Sequence, residues 1–126
     1  MTVVLDASAL LAVLLEEPGS DLVIDVMRGS ALSALNASEC IARAVDRGFA
    51  ASSVMTLFRQ AEIAVVPFDM GQAVLAADLR PKTRHAGASL GDRACLALAL
   101  TRLQPVITGD RRLAELDLGI DIRLIR

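Results

Sequence analysis

The chain switches repeatedly between short β-like runs and longer helical segments, and this alternation restricts its fold more than any other feature. Residues 2–5, 31–33, 63–66, 106–108 and 120–125 read as strands, the third being strongly β-branched and ending at Pro67. The helical segments between them are 7–16, stopped by Pro18-Gly19, and one capped by Ser20 or Asp21 that runs through Arg28 to Gly29. Asn36 or Ser38 opens the next, which runs to Arg47 before Gly48, and residues 51–60, 70–79, 93–103 and 111–116 complete the set. Residues 80–90, polar and containing Gly87, read as a loop. Strands joined by helices run parallel and are covered on both faces. The expectation is one α/β domain over residues 1–126, a three-layer α/β/α sandwich around a central parallel sheet of about five strands.

With 54% apolar residues and only Phe49, Phe58 and Phe68 as aromatics, the core must be built from small and branched aliphatics. The apolar excess also points to an interface with a second copy or a partner. The longest apolar runs, 9–15 and 94–100, fall far short of the ~20 residues that span a bilayer, so no membrane role is expected. The N-terminus lacks a cationic stretch and carries Asp6, which points away from a signal peptide and toward the cytoplasm. Cys40 and Cys95 have no spaced partners and His85 is the single histidine, which excludes zinc ribbons and disulfide scaffolds. A net charge of −2 argues against a strongly basic nucleic-acid binder, while leaving room for a local basic patch.

Four acids lie where such a sheet builds its sites. Asp6 and Asp110 follow strands, at the carboxyl edge. Glu39 sits one to two helical turns beyond it, and Asp92 sits just before the apolar helix at 94–103. Each has a plain alternative role: Asp6, Asp92 and Asp110 all fit helix caps, Asp92 within a Ser89–Asp92 capping-box spacing. Glu39, flanked by Cys40, Ile41 and Ala42, reads as a carboxylate among buried residues, a costly placement that a hard cation would relieve. Neither the P-loop nor the G-x-G-x-x-G pattern occurs. Ser8 replaces the second Asp of an aspartyl phosphatase, Lys82 is in a loop rather than after a late strand, and no serine sits on a nucleophile elbow.

Four segments together carry a family resemblance. Residues 4–10 (VLDASAL), 34–39 (ALNASE), 89–97 (SLGDRACLA) and 106–111 (VITGDR) resemble, in order, the motif segments of PIN domains. The chain length is similar to that of VapC-like toxins of bacterial toxin–antitoxin pairs. The resemblance implies an endoribonuclease dependent on Mg²⁺ or Mn²⁺, leaving a 5′-phosphate and a 3′-hydroxyl. It also implies a homodimer inhibited by a cognate antitoxin protein, with higher toxin–antitoxin assemblies. By the same resemblance, Asp6, Glu39 and Asp92 are the central catalytic and metal-site acids, and Asp110 completes the set. Ser8, Thr108 and Asn36 are supporting polar residues, and Gly109 stands where another small residue such as Ala is common. Arg80, Lys82, Arg84, Arg93 and Arg111, with His85 beside them, are candidate RNA contacts. Without Trp or Tyr there is little for bases to stack on. The rival readings are a metal-dependent phosphatase or nucleotide hydrolase, and a non-catalytic PIN-like interaction module.

Overall fold

The computed structural model describes residues 2–126. Five short strands, β1 (Val4–Leu5), β2 (Ala31–Ser33), β3 (Ala64–Val66), β4 (Val106–Thr108) and β5 (Ile122–Leu124), form one sheet in the order β3-β2-β1-β4-β5. Every pairing is parallel. The helices are α1 (Ala7–Leu14), α2 (Ser20–Val26), α3 (Ala34–Asp46), α4 (Ala51–Gln60), α5 (Met70–Asp78), α6 (Arg80–Thr83), α7 (Leu90–Arg102) and α8 (Arg111–Ala114). No helix is long and apolar enough to cross a membrane among the described residues.

Register divides the core into two layers. Val4, Ala31 and Val106 are matched across three strands, and so are Leu5, Leu32 and Ile107. Successive side chains on a strand point to opposite faces. The Leu5 row packs with α1–α4 residues such as Leu10, Val23, Cys40 and Phe58. The Val4 row packs with Ala76, Leu96, Leu98 and Leu113 from α5, α7 and α8. Every residue from Ala94 to Ala99 is buried, so α7 is enclosed on all sides.

The chain winds outward from β1 to β2 to β3, then returns across the sheet through α5–α7 to β4 and β5 on the other side of β1. The winding therefore reverses between β1 and β4, and a crevice opens beyond their carboxyl ends.

The elements depart from expectation in three places that bear on the site. Helix α3 starts straight out of β2 because the Ser33 hydroxyl accepts the Leu35 N–H at 3.3 Å, so Asn36 and Ser38 lie inside the helix rather than opening it. Helix α7 starts at Leu90, not residue 93, because Ser89 and Asp92 form a full capping box: Ser89 Oγ accepts the Asp92 N–H and Asp92 Oδ2 accepts the Ser89 N–H. Asp92 is thus in the first turn. Residues 80–86 are not a loop but α6 followed by a 3₁₀ turn, since Pro81 falls in the first helical turn, where its missing N–H costs nothing.

Leu96, with no exposed surface, should cost about 2–5 kcal/mol of stability when cut to Ala. Urea unfolding measures this, and a loss below about 1 kcal/mol would contradict the central place given to α7.

Candidate active site

Asp6 leaves β1 at its carboxyl end and caps α1, its Oδ1 accepting the Ala9 N–H at 3.0 Å. The same oxygen accepts the Ser8 hydroxyl at 2.6 Å, and Oδ2 accepts the Thr108 hydroxyl from β4 at 2.5 Å. Those hydroxyls are themselves fixed: Ser8 Oγ accepts the Gly109 N–H at 2.8 Å, and Thr108 Oγ1 accepts the Asp110 N–H at 3.0 Å. One carboxylate therefore joins β1, α1 and β4 into a single hydrogen-bonded unit.

Asp6 is only 4% exposed. Burial pushes its pKa above the usual carboxylate value, the donors from Ser8, Thr108 and Ala9 pull it back, and the charge of Asp92 adds to the rise. The buried-carboxylate conflict expected at Glu39 thus falls on Asp6. Glu39 is on the exposed side of α3, while its neighbour Cys40 takes the core side.

Asp6, Glu39, Asp92 and Asp110 all line one cleft of about 510 Å³. Beneath them lies the fully buried Cys95. Its thiol is pushed well up by burial first, then by the charges of Asp6, Asp92 and Glu39. The Cys40 thiol is raised to about 12 by burial.

Each outward acid is engaged by a local donor. Asp92 accepts the Ser89 N–H, Glu39 Oε1 accepts Asn36 Nδ2 at 3.0 Å, and Asp110 accepts the Arg112 N–H at 2.9 Å. Among the described residues, no three His, Cys, Asp or Glu side chains are close enough, as they stand, to grip one ion. The donors nevertheless suit a hard cation in kind: they are carboxylate oxygens, one of them buried at a cost that a nearby cation would offset.

The basic residues around the cleft differ from those expected. Arg80, Lys82, Arg84 and Arg111 do not line it, and Lys82 faces a separate hollow with Asp78 and Asp117. Arg93 turns away, donating to the Ala76 carbonyl of α5 at 3.1 Å. His85 also faces another hollow, beside Glu115. Arg43, Arg47, Arg112 and Arg126 line the cleft instead. A signal for two of these exists in the sequence, since Glu39, Arg43 and Arg47 are four residues apart and share a helix face. Arg126, by contrast, reaches the cleft only because β5 ends there. Its guanidinium lies over Gly109, where a Cβ would come within 2.9 Å of Nη2. The small residue at 109 thus leaves room for an arginine.

The sequence matches the PIN domain family over residues 3–118, and the chain belongs to that family. No match was found among curated proteins. The fold is similar to that of a toxin–antitoxin complex from Klebsiella pneumoniae, at 14% identity and TM-score 0.74, covering 98% of both chains. It is also similar to DNA-bound VapBC from Salmonella typhimurium, at 17% identity and TM-score 0.72, covering 100% of this chain and 99% of the other. VapBC-5 of Mycobacterium tuberculosis, a member of the VapBC family of toxin–antitoxin systems, matches at 26% identity and TM-score 0.62, covering 99% and 98%. The PIN-like α/β/α sandwich and the VapC-like resemblance expected from the sequence agree with these findings.

Because the folded pKa of Asp6 is raised, the native state holds more protons than the unfolded chain between the unfolded and folded values. Stability therefore falls as pH rises through that window, and the cost is complete above the folded pKa. The stability of Asp6→Asn relative to wild type should therefore rise with pH across that window, since only the wild type has a buried carboxyl to ionise. A difference in melting temperature that stays flat between acid and neutral pH would contradict the burial cost.

Proposed function

We propose that the chain is a divalent-metal-dependent endoribonuclease and the toxin of a toxin–antitoxin pair. The observation that carries this is the convergence of Asp6, Glu39 and Asp92, with Asp110, in one arginine-lined cleft at the point where the sheet reverses its winding. Asp6 and Asp92 are the direct oxygen donors for Mg²⁺ or Mn²⁺. Asp110 acts through water or on a second ion. A bound ion would supply a water of lowered pKa and neutralise charge on the phosphoryl oxygens.

The remaining work falls to this chain's own side chains. Ser8 and Thr108 hold both oxygens of Asp6 in place. Glu39, with Oε1 held by Asn36, offers its other oxygen to the ion or to the attacking water. Arg43 and Arg47 on α3 and Arg112 and Arg126 across the cleft contact successive phosphates. Arginines on two sides of the acids suit a polymer better than a small phosphate ester, which favours RNA cleavage over phosphatase chemistry. The remaining partners in this reading are an antitoxin, as in the toxin–antitoxin complexes the fold is similar to, and a second copy of the chain. Exposed apolar side chains such as Leu22, Ile24 and Met55 offer surface for such contacts.

Purified, antitoxin-free protein should cut mixed RNAs with Mg²⁺ or Mn²⁺ and not with EDTA, and end-mapping should show 5′-phosphates. Asp92→Asn should lower the rate at least about 100-fold, because the metal's contribution is several kcal/mol. Full activity in a folded Asp92→Asn protein contradicts the assignment. The pair Arg43→Gln and Arg47→Gln should raise KM with little change in kcat and flatten the salt dependence by about one unit of slope per lost contact. An unchanged KM and salt slope would remove these arginines from the substrate track.

A further inference from the structure

We propose that Asn36 and Gly91 form a latch between α3 and α7 that fixes the Glu39 carboxylate, making Asn36 a positioning residue. This rests on the ribonuclease reading only for the consequence, since the latch itself is a matter of geometry.

Asn36 is 2% exposed and borders the cleft. Its single Nδ2 donates twice, to Glu39 Oε1 at 3.0 Å and to the Gly91 carbonyl at 3.0 Å. The first bond joins residues three apart on one helix face. The second crosses to α7, one residue before Asp92. Reversing the amide would set its oxygen against a carboxylate and a carbonyl, so the orientation is determined. Its Oδ1 finds no partner among the described residues, so both of the bonds that hold the side chain come from Nδ2.

Gly91 completes the device by having no side chain. A Cβ there would overlap Glu39 Oε1 and stand 2.6 Å from Cδ and 2.8 Å from Oε2. The carboxylate therefore lies directly on the Gly91 α-carbon, pinned by Asn36 from the side. Few residues could replace Asn36: ionised Asp offers no donor, Ser offers one, and Gln is a carbon too long. The latch links the helix that carries Glu39 to the helix that carries Asp92, and so sets the spacing of the two acids.

The test compares wild type, Asn36→Ala, Gly91→Ala, Glu39→Gln and the double variant Asn36→Ala/Glu39→Gln. Free Mn²⁺ is followed by electron paramagnetic resonance, and crystals of metal-free Asn36→Ala report the Glu39 side chain. Groups that orient a metal's ligands typically contribute 10–100-fold in affinity. Asn36→Ala should weaken Mn²⁺ binding by about 10-fold or more, and Gly91→Ala should do likewise. Gly91→Ala removes no polar group and adds a good helix former, so it guards against loss of folding. Added to Glu39→Gln, Asn36→Ala should weaken binding no further.

In the metal-free Asn36→Ala crystal, Glu39 should leave Gly91. The latch is overturned if Glu39 stays in place there, if Gly91→Ala binds Mn²⁺ as wild type does, or if the Asn36→Ala loss adds in full to Glu39→Gln. Wild-type protein that binds Mn²⁺ but cuts no RNA would remove the ribonuclease reading and leave the latch standing.

Discussion

The buried carboxylate of Asp6 is the interaction on which the rest of the site depends. It accepts two hydroxyls and one backbone N–H, and those hydroxyls accept two further backbone N–H groups. The turns after β1 and β4 are thereby fastened at the point where the sheet reverses direction. A hydrophobic side chain would fill the same space at less cost, because transferring a carboxylate out of water is expensive. That cost is borne in the cleft that Asp6 shares with Glu39, Asp92 and Asp110, acids from distant parts of the chain. The concentration of charge has an economical explanation in a cation, and no structural need for it is evident elsewhere in the core.

The architecture was largely legible in the sequence. Alternating strands and helices fixed a parallel sheet, and strand composition placed all five strands within one or two residues of their observed bounds. What failed was local. Helices α3 and α7 start earlier than composition indicates because their caps, Ser33 and Ser89, belong to the ends of a strand and a loop. Residues 80–83, polar and expected as a loop, form α6 because Pro81 takes a first-turn position that suits a helix.

The site was legible in part, for a related reason. Asp6, Asp92 and Asp110 stand next to strand ends or helix starts, so sequence position already marks them, whereas Glu39 lies within α3. The basic residues carry no such marker. Those nearest the acids in sequence, Arg93 and Arg111, do not line the cleft, while Arg47 and Arg126 do. Chain proximity counts for little once a helix turns its faces: at 100° per residue, the neighbour of a cleft residue points elsewhere. The assignment of burial to Glu39 failed on the same ground, since Cys40 takes the core face and leaves Glu39 outside.

The central claim is that the converging acids hold a divalent cation, and its most direct test is anomalous diffraction from a crystal grown with Mn²⁺. The account predicts a peak within ligand distance of the Asp6 and Asp92 carboxylates, with Asp92 turned from the Ser89 N–H toward the ion. Full occupancy by Mn²⁺ elsewhere, or no peak at millimolar Mn²⁺, would contradict it.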